Sequence, residues 1–468
     1  MGAGYRLKQL QDVARALFVD RRLRARDRWT AERLRKHQRQ SLSRLLLHAV
    51  TRSPFYRDLY AGITIDRETE LADLPLIDKK AVMENFDRVV TDRNLTLSAV
   101  REHLAHLQDD SYLLGRYRVL STSGTSGLKG VFAYDRSEWS IVLAAVLRWY
   151  RLAGIVLRLP RRARIATLGA SDPMHVSARL PESGNIGLFQ LRRLTVDMNI
   201  ADMVDALDRF QPEVLLSYPS VAALLAEEQL AGRLAIAPRI LSTHSELMTE
   251  DMARTIERAW GTIPYNHYGL SELPTFGAEC SLHCGLHAFE DLFIAELVDA
   301  ENRPVPDGCQ ASKLLLTNLY NRTQPLIRYE ISDMLSRSRE PCPCGRPYPL
   351  IENIGGRSED TVVLPGRDGG EVSIPPLVIA TAIDAFDEII EYRAKHSDSG
   401  IRIMAVPREG AGTDALAERL MAALAKRLRS QGAKAPPIMV EFADELDRAG
   451  GAMGKVKRVE SKPAPPGQ

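Results

Sequence analysis

"STSGTSGLKG" runs from Ser121 to Gly130 and concentrates hydroxyl side chains, three glycines and one lysine in ten residues. Clustered glycines let successive backbone N–H groups turn toward an anion, and the hydroxyls add donors. A lysine at the end of such a loop supplies a compact positive charge for a phosphate. A Walker-type loop needs Gly-Lys-Ser/Thr leading into a helix. Here Lys129 precedes Gly130, and the strand-like "VFAYD" follows. The segment is therefore either a phosphate loop of another kind or a flexible Ser/Gly linker. Its surroundings decide.

Outward from the loop, short apolar runs alternate with helical patterns. "RIATLGA", "VLLSYPS" and "RILSTHSE" read as strands, while "ADMVDALDRFQPE", "VAALLAEEQLAG" and "TEDMARTIERAWG" read as helices. Such alternation predicts an α/β core with a largely parallel sheet. Helices are expected over residues 1–60 and a β subdomain after about Gly285, where "AFEDLFIAELVDAENRPVPDG" begins a run of strands and turns. "IGGRSEDTVVLPG" reads as a junction to a small α+β module. The expected partition is an N-terminal domain, 1–355, and a C-terminal domain, 356–468.

The 468 residues are 45% hydrophobic and 26% charged, as in a soluble globular protein of two or three domains. The apolar run "SIVLAAVLRWY" is too short to span a bilayer, and "MGAGYRLKQLQD" has no signal-peptide core. A cytoplasmic protein with no membrane partner is expected. A net charge of +2 gives no field that would gather nucleic acid. The basic run "DRRLRARDRWTAERLRKHQRQ", broken by Asp27 and Glu32, is read as a solvated helix whose Leu23, Trp29 and Leu34 pack inward.

Further motifs follow the loop in order: "NHYGLSE" (266–272), "LIRYEISD" (326–333), "GGRSED" (355–360) and "MGKVKR" (453–458). With "STSGTSGLKG" they resemble the signatures of the adenylate-forming superfamily, which includes acyl-CoA synthetases and luciferases. The variants "YPS" (218–220), "SEL" (245–247) and "GLHAFED" (285–291) resemble its phenylacetate–CoA ligase and capsule-synthesis-type branch. The resemblance implies an α/β fold with a large adenylate-forming domain and a small mobile α+β lid. It also resolves the loop as a phosphate loop.

The resemblance assigns roles residue by residue. Ser123, Gly124, Thr125, Ser126, Gly127 and Lys129 would cradle the ATP phosphates. Glu272 would hold Mg²⁺, which keeps phosphate oxygens and waters among its ligands. Asp333 would accept hydrogen bonds from the ribose hydroxyls. Tyr268 and Gly269 would flank the adenine, where Ser245 and Glu246 also fall. Arg357 would contact ribose or phosphate, with Glu359 at the hinge in place of the usual aspartate. Lys455 is the expected adenylation lysine, with Lys457 and Lys462 as neighbouring rivals.

Five cysteines include two close pairs, Cys280/Cys284 and Cys342/Cys344, and such grouping reads as metal before disulfide. By the resemblance, Zn²⁺ would be held by Cys280, His287, Cys342 and Cys344, with His283 and Cys284 as rivals for one position. A zinc-ribbon binding module is the remote alternative from another functional class.

The implied activity is ATP-dependent adenylation of a carboxylic acid, aromatic by expectation, followed by transfer to CoA. Transfer to an amine, a carrier protein or another small nucleophile or oxyanion is the alternative. The acyl pocket is expected between "SYPS", the 169–200 segment and "HYGLSE", with Met174 and His175 as lining candidates. The expected partners are a small-molecule carboxylate and CoA; a homodimer is left open.

Overall fold

The computed structural model describes residues 3–122, 129–156, 160–196, 198–367, 369–446 and 459–461. Its centre is a nine-stranded sheet. Five neighbouring strands run parallel, in the spatial order Gln190–Thr195, Arg164–Gly169, Val214–Ser217, Ile240–His244 and Tyr265–Tyr268. The sheet then continues antiparallel through Gly277–Glu279, Leu286–Ala288, Leu350–Arg357 and Asp333–Arg337. The α/β architecture is the one expected from the motif order.

Several helices of the strand–helix alternation are capped by a side chain at their start. The Asn199 side chain accepts from Asp202 N to start Ile200–Phe210, and Thr249 does the same for Glu250–Trp260. The latter helix ends at Gly261, whose φ of 63° a residue with a Cβ adopts only under strain. Asp135 and Glu138 form a reciprocal capping box at the start of Arg136–Leu152.

Strand alternation sends successive side chains to two cores. Ile165, Val214 and Leu216 join Trp139 and Trp149 on one face. Ala166, Leu168, Leu215 and Leu241 join Leu207, Leu225 and Ile256 on the other. Both faces are therefore covered, which is why these strands are almost continuously apolar. A third cluster, from Val362 to Val459, forms around Leu420, Leu424 and the strands Ile389–Ser397 and Gly400–Pro407. The strand bearing "IGGR" runs on to Arg357, so the change of core falls between Arg357 and Val362. Arg408 of this C-terminal unit donates both terminal nitrogens to Glu227 of the helix Pro219–Leu230, at 2.6 Å each.

The strands expected as one β subdomain divide between two sheets. Phe293–Val298, Lys313–Asn318 and Tyr329–Ile331 form a separate three-stranded sheet, whereas Leu286–Ala288, Asp333–Arg337 and Leu350–Arg357 extend the large one. Residues 3–59 are helical, as Ala3–Arg26, Ala31–Arg52 and Pro54–Leu59. In the basic run, Leu23 and Leu34 are buried and Asp20 and Asp27 face inward to Arg151 at 2.6 and 2.9 Å. The run is not one helix but the end of Ala3–Arg26, a turn and the start of Ala31–Arg52; Asp20 and Asp27 anchor it, Glu32 is exposed, and Trp29 is half-buried beneath Arg26 and Arg33. Among the described residues no helix is long and apolar enough to cross a membrane.

Candidate functional site

The strands Tyr117–Ser121 and Val131–Asp135 pair as an antiparallel hairpin around "STSGTSGLKG". Thr122 N donates to Gly130 O and Gly130 N to Thr122 Oγ1, both at 2.9 Å, closing the hairpin at the base of the loop. Lys129 stands exposed beside that closure. Ser123, Gly124, Thr125, Ser126 and Gly127 lie outside the described residues, as does Lys455.

The strand Tyr265–Tyr268 brings the other expected residues together. The Tyr268 hydroxyl donates to Asp333 Oδ2, joining the end of the parallel sheet to the start of the edge strand Asp333–Arg337. Arg357 Nε lies 3.2 Å from Asp333 Oδ1. Burial and the neighbouring Asp333 carboxylate hold the Tyr268 phenol well above its ordinary pKa, so it remains a donor. Glu272 is 6% exposed, and burial raises its pKa. The Tyr329 hydroxyl donates to its Oε1 at 3.3 Å.

Gly269 follows Tyr268 where the chain turns tightly: a Cβ there would meet Pro274 O at 2.2 Å. No larger residue fits without moving the backbone. Ser245 sits at the end of Ile240–His244 with φ 71°, a left-handed conformation unusual for serine. Glu246 Oε2 accepts from Ser220 Oγ at 2.6 Å, so this carboxylate ties the "SEL" stretch to "YPS" at the start of the preceding helix, Pro219–Leu230.

A cleft of about 580 Å³, counting its open mouth, lies at the carboxyl ends of the parallel strands. Ligands of doubly wound sheets bind at that edge. Thr167, Leu216, His244, His267 and Gly269 form its floor, while Trp149 and Tyr150 from one helix and Leu180 and Pro181 from another form its walls. Of the segments named in the sequence reading, 169–200 and "HYGLSE" contribute, whereas "SYPS" does not, Leu216 just before it lining the cleft instead; Met174 and His175 are not among the lining residues either. His175 is buried at the N-cap of Val176–Gly184, and Val176, Ser177 and Leu180 lie in the lining instead. The helix Arg136–Leu152 was missed as a wall. Its run "SIVLAAVLRWY" carries Trp149 and Tyr150, two aromatics at the end of an apolar helix, which was the available signal.

At the antiparallel end of the sheet, one side-chain ligand atom each from Cys280, His287, Cys342 and Cys344 lies within 4.8 Å of all the others. Cys280 Sγ and Cys342 Sγ are 3.8 Å apart, and Cys344 Sγ and His287 Nε2 are 3.5 Å apart. Tetrahedral zinc with its usual bond lengths requires edges of about 3.8 Å between two sulfurs and about 3.6 Å between sulfur and nitrogen. The donor set and its spacing fit the metal. His283 turns instead to Glu279, 3.2 Å away, and the exposed Cys284 thiol donates to Leu282 O at 3.3 Å.

No family model matches the chain. A phenylacetate–coenzyme A ligase of Thermus thermophilus is 28% identical over 374 residues, 77% of this chain and 77% of the relative. A phenylacetate–coenzyme A ligase of Pseudomonas putida is 28% identical over 393 residues, 79% of this chain and 81% of the relative. Among solved structures, a 2-hydroxyisobutyryl-CoA ligase in the postadenylation state superposes with a TM-score of 0.73 at 20% identity, covering 93% of this chain and 91% of that one. That likeness shows the fold.

In fold, motif order and sequence this chain is similar to the adenylate-forming CoA ligases. Among them, it is similar to the phenylacetate–CoA ligase branch.

Proposed function

We propose that this enzyme is an AMP-forming acid–thiol ligase that activates a carboxylic acid with ATP and transfers the acyl group to CoA. A carboxylate is a poor electrophile, because its charge repels nucleophiles and oxide is its leaving group. Attack of a carboxylate oxygen on the α-phosphorus breaks the α–β bridging bond, releases pyrophosphate and leaves an acyl-AMP. The CoA thiolate then attacks the acyl carbon and AMP departs. The observation that carries this reading is the junction at Gly269, where the Tyr268–Asp333–Arg357 cluster and buried Glu272 adjoin a largely apolar cleft.

Each side chain has a role in this reading. Asp333 exchanges its Tyr268 bond for the ribose hydroxyls, and Arg357 stays beside it to balance charge. Tyr268, Gly269, Ser245 and Glu246 surround the adenine. Residues 123–127 and Lys129 bind the β- and γ-phosphates. Glu272 holds Mg²⁺, which when bound neutralises phosphate charge; the desolvated carboxylate gains more from a cation than an exposed one would. Lys455 stabilises the charge that develops between carboxylate and α-phosphate. The C-terminal unit beyond Arg357 acts as the lid that delivers Lys455 and withdraws it for thiol attack.

Cys280, His287, Cys342 and Cys344 hold a structural zinc. Four protein ligands close its coordination, leaving no position for a substrate.

The test is pyrophosphate release from ATP across a panel of aryl and aliphatic acids, each with and without CoA. Release that depends on one acid, with acyl-CoA formed when CoA is present, supports the reading. Release that CoA does not convert into a thioester overturns the second half. No release with any acid overturns the first.

A further inference from the structure

The helix Ala3–Arg26 is amphipathic in the reverse of the usual sense. Its inward face carries Gln9, Asp12, Ala16, Asp20 and Leu23, all buried. The polar ones have partners there. Gln9 donates to Glu182 O at 2.9 Å, Asp12 accepts from Arg136 and Arg118 at 2.8 and 3.0 Å, and Asp20 accepts from Arg151 at 2.6 Å. The opposite face carries Leu7, Leu10, Leu17 and Phe18, which are 59, 49, 38 and 56% exposed. A surface helix of a globular protein ordinarily turns such residues to the core. From Leu7 to Phe18 the apolar stripe is about 16 Å long.

Positive charge frames the stripe. Exposed Arg15 and Arg22 border it on one side, exposed Arg6 and Arg24 on the other, and exposed Arg21 continues it one turn beyond Leu17. Residues 1–52 hold 14 Arg and Lys against 4 Asp and Glu, a local charge of +10 in a chain whose net charge is +2. Three of those acids are turned to arginines of a strand and a helix farther along the chain: Asp12 to Arg118 and Arg136, Asp20 to Arg151, and Asp27 to Arg148 and Arg151. Glu32 is the exposed acid of this stretch. Asp27 therefore does not interrupt the basic run at the surface, although the reading of a merely solvated helix rested on that interruption.

A partner has to meet both features. A second copy of this chain would cover the leucines but set two rows of arginines against each other. A nucleic acid would pair with the arginines and leave Leu7, Leu10, Leu17 and Phe18 in water. The surface of an anionic bilayer takes both at once, with apolar side chains at the headgroup boundary and arginines among the lipid phosphates. We propose that the helix Ala3–Arg26 is a docking face for an anionic phospholipid membrane, entered by Leu7, Leu10, Leu17 and Phe18 and drawn in by Arg6, Arg15, Arg21 and Arg22. Asp12 and Asp20 tie the reverse side of this helix to both ends of Arg136–Leu152, so the whole protein is carried to the membrane rather than a detached arm. Docking of this kind does not depend on which reaction the protein performs.

The experiment is cosedimentation of the full-length protein, at physiological ionic strength, with two kinds of vesicle. One is phosphatidylcholine alone, and the other is equal parts phosphatidylcholine and phosphatidylglycerol. Partition into the anionic vesicles should exceed that into the neutral ones by about 10-fold or more. The double variant Arg21→Gln/Arg22→Gln should lose about 10-fold of the anionic partition, and Leu10→Gln/Phe18→Gln a similar factor. All four side chains are exposed, so both variants should melt like the unaltered protein. Equal partition into both vesicles, or into neither, overturns the proposal, and this arm needs no variant. Anionic partition that Leu10→Gln/Phe18→Gln leaves intact overturns it as well, because the apolar stripe then plays no part. A dimer by light scattering that Leu10→Gln/Phe18→Gln dissociates gives the stripe to a second copy, and binding to duplex DNA without binding to vesicles gives the arginines to nucleic acid. Either result overturns the membrane as partner.

Discussion

One strand, Tyr265–Tyr268, divides two regions of unlike construction. On the side proposed for the nucleotide, charged and polar groups meet one another: Tyr268 donates to Asp333 Oδ2, Arg357 pairs by charge with Asp333 Oδ1, and Tyr329 donates to Glu272. On the acyl side the surface is mainly apolar, and His267 holds two buried nitrogens without partners among the described residues. A polar site whose side chains hold one another is preorganised, and on the reading proposed above a nucleotide would enter by exchanging those contacts. An apolar cleft with a few convergent polar groups gives orientation and choice of ligand. The difference separates the work. On the function proposed above, the reaction would depend on the first region and the identity of the acid on the second.

The hardest test of that division is Lys455→Ala. The adenylation half-reaction, read as pyrophosphate release, should slow by about 10²- to 10³-fold, the usual cost of losing one group aimed at transition-state charge. Thioester formation from preformed acyl-AMP should be affected far less. Equal losses in both halves would remove Lys455 from its role. Asp333→Ala comes next. It leaves Tyr268 and Arg357 without their shared partner, and kcat/KM for ATP should fall by about 10- to 100-fold. The ranking of acids should survive. A reordered ranking would mean that the two sides of the strand are not independent.

The two sides also differed in how far the sequence revealed them. Tyr268, Asp333 and Arg357 lie on separate strands, yet each sits in a recognisable motif because nucleotide geometry is common to many substrates. The four zinc-binding candidates were legible for a similar reason, since metal chemistry restricts residue types and local spacing. Trp149 carries no such mark. It reaches the cleft only because the apolar helix Arg136–Leu152 lies across the parallel strands, a tertiary fact. His267 was visible inside a motif, but its orientation follows from strand alternation and its lack of partners from packing. The division of the later strands between two sheets was also hidden, because a strand pattern specifies the buried face and not the neighbour.

Zinc content and its loss test whether the antiparallel end supports the proposed nucleotide side from behind. His287 lies on the strand Leu286–Ala288, which pairs with Leu350 and Ile351, and Asp333 lies on the next strand out. Purified protein should contain one zinc per chain by elemental analysis. Cys342→Ser should lose most of it, and Tm should fall by about 5 °C or more, since metal-binding free energy is folding free energy. Full thermal stability without zinc would reduce the cluster to four neighbouring side chains, three of them buried.

The smallest expected effect falls on the acyl wall. Leu180 lines the cleft opposite the strand floor, from a helix that contributes nothing to the nucleotide cluster. Leu180→Ala should widen the cleft at that wall and shift kcat/KM toward the bulkier of two related acids by about 10-fold, the scale on which an apolar pocket discriminates small changes in volume. KM for ATP should stay within about two-fold, because distant substitutions without shared partners act additively. The measurement is a pair of saturation series, one in acid and one in ATP, on the same preparation. A changed ATP series with an unchanged acid ranking would reverse the comparison, making this helix part of the nucleotide side and leaving selectivity to the strands alone.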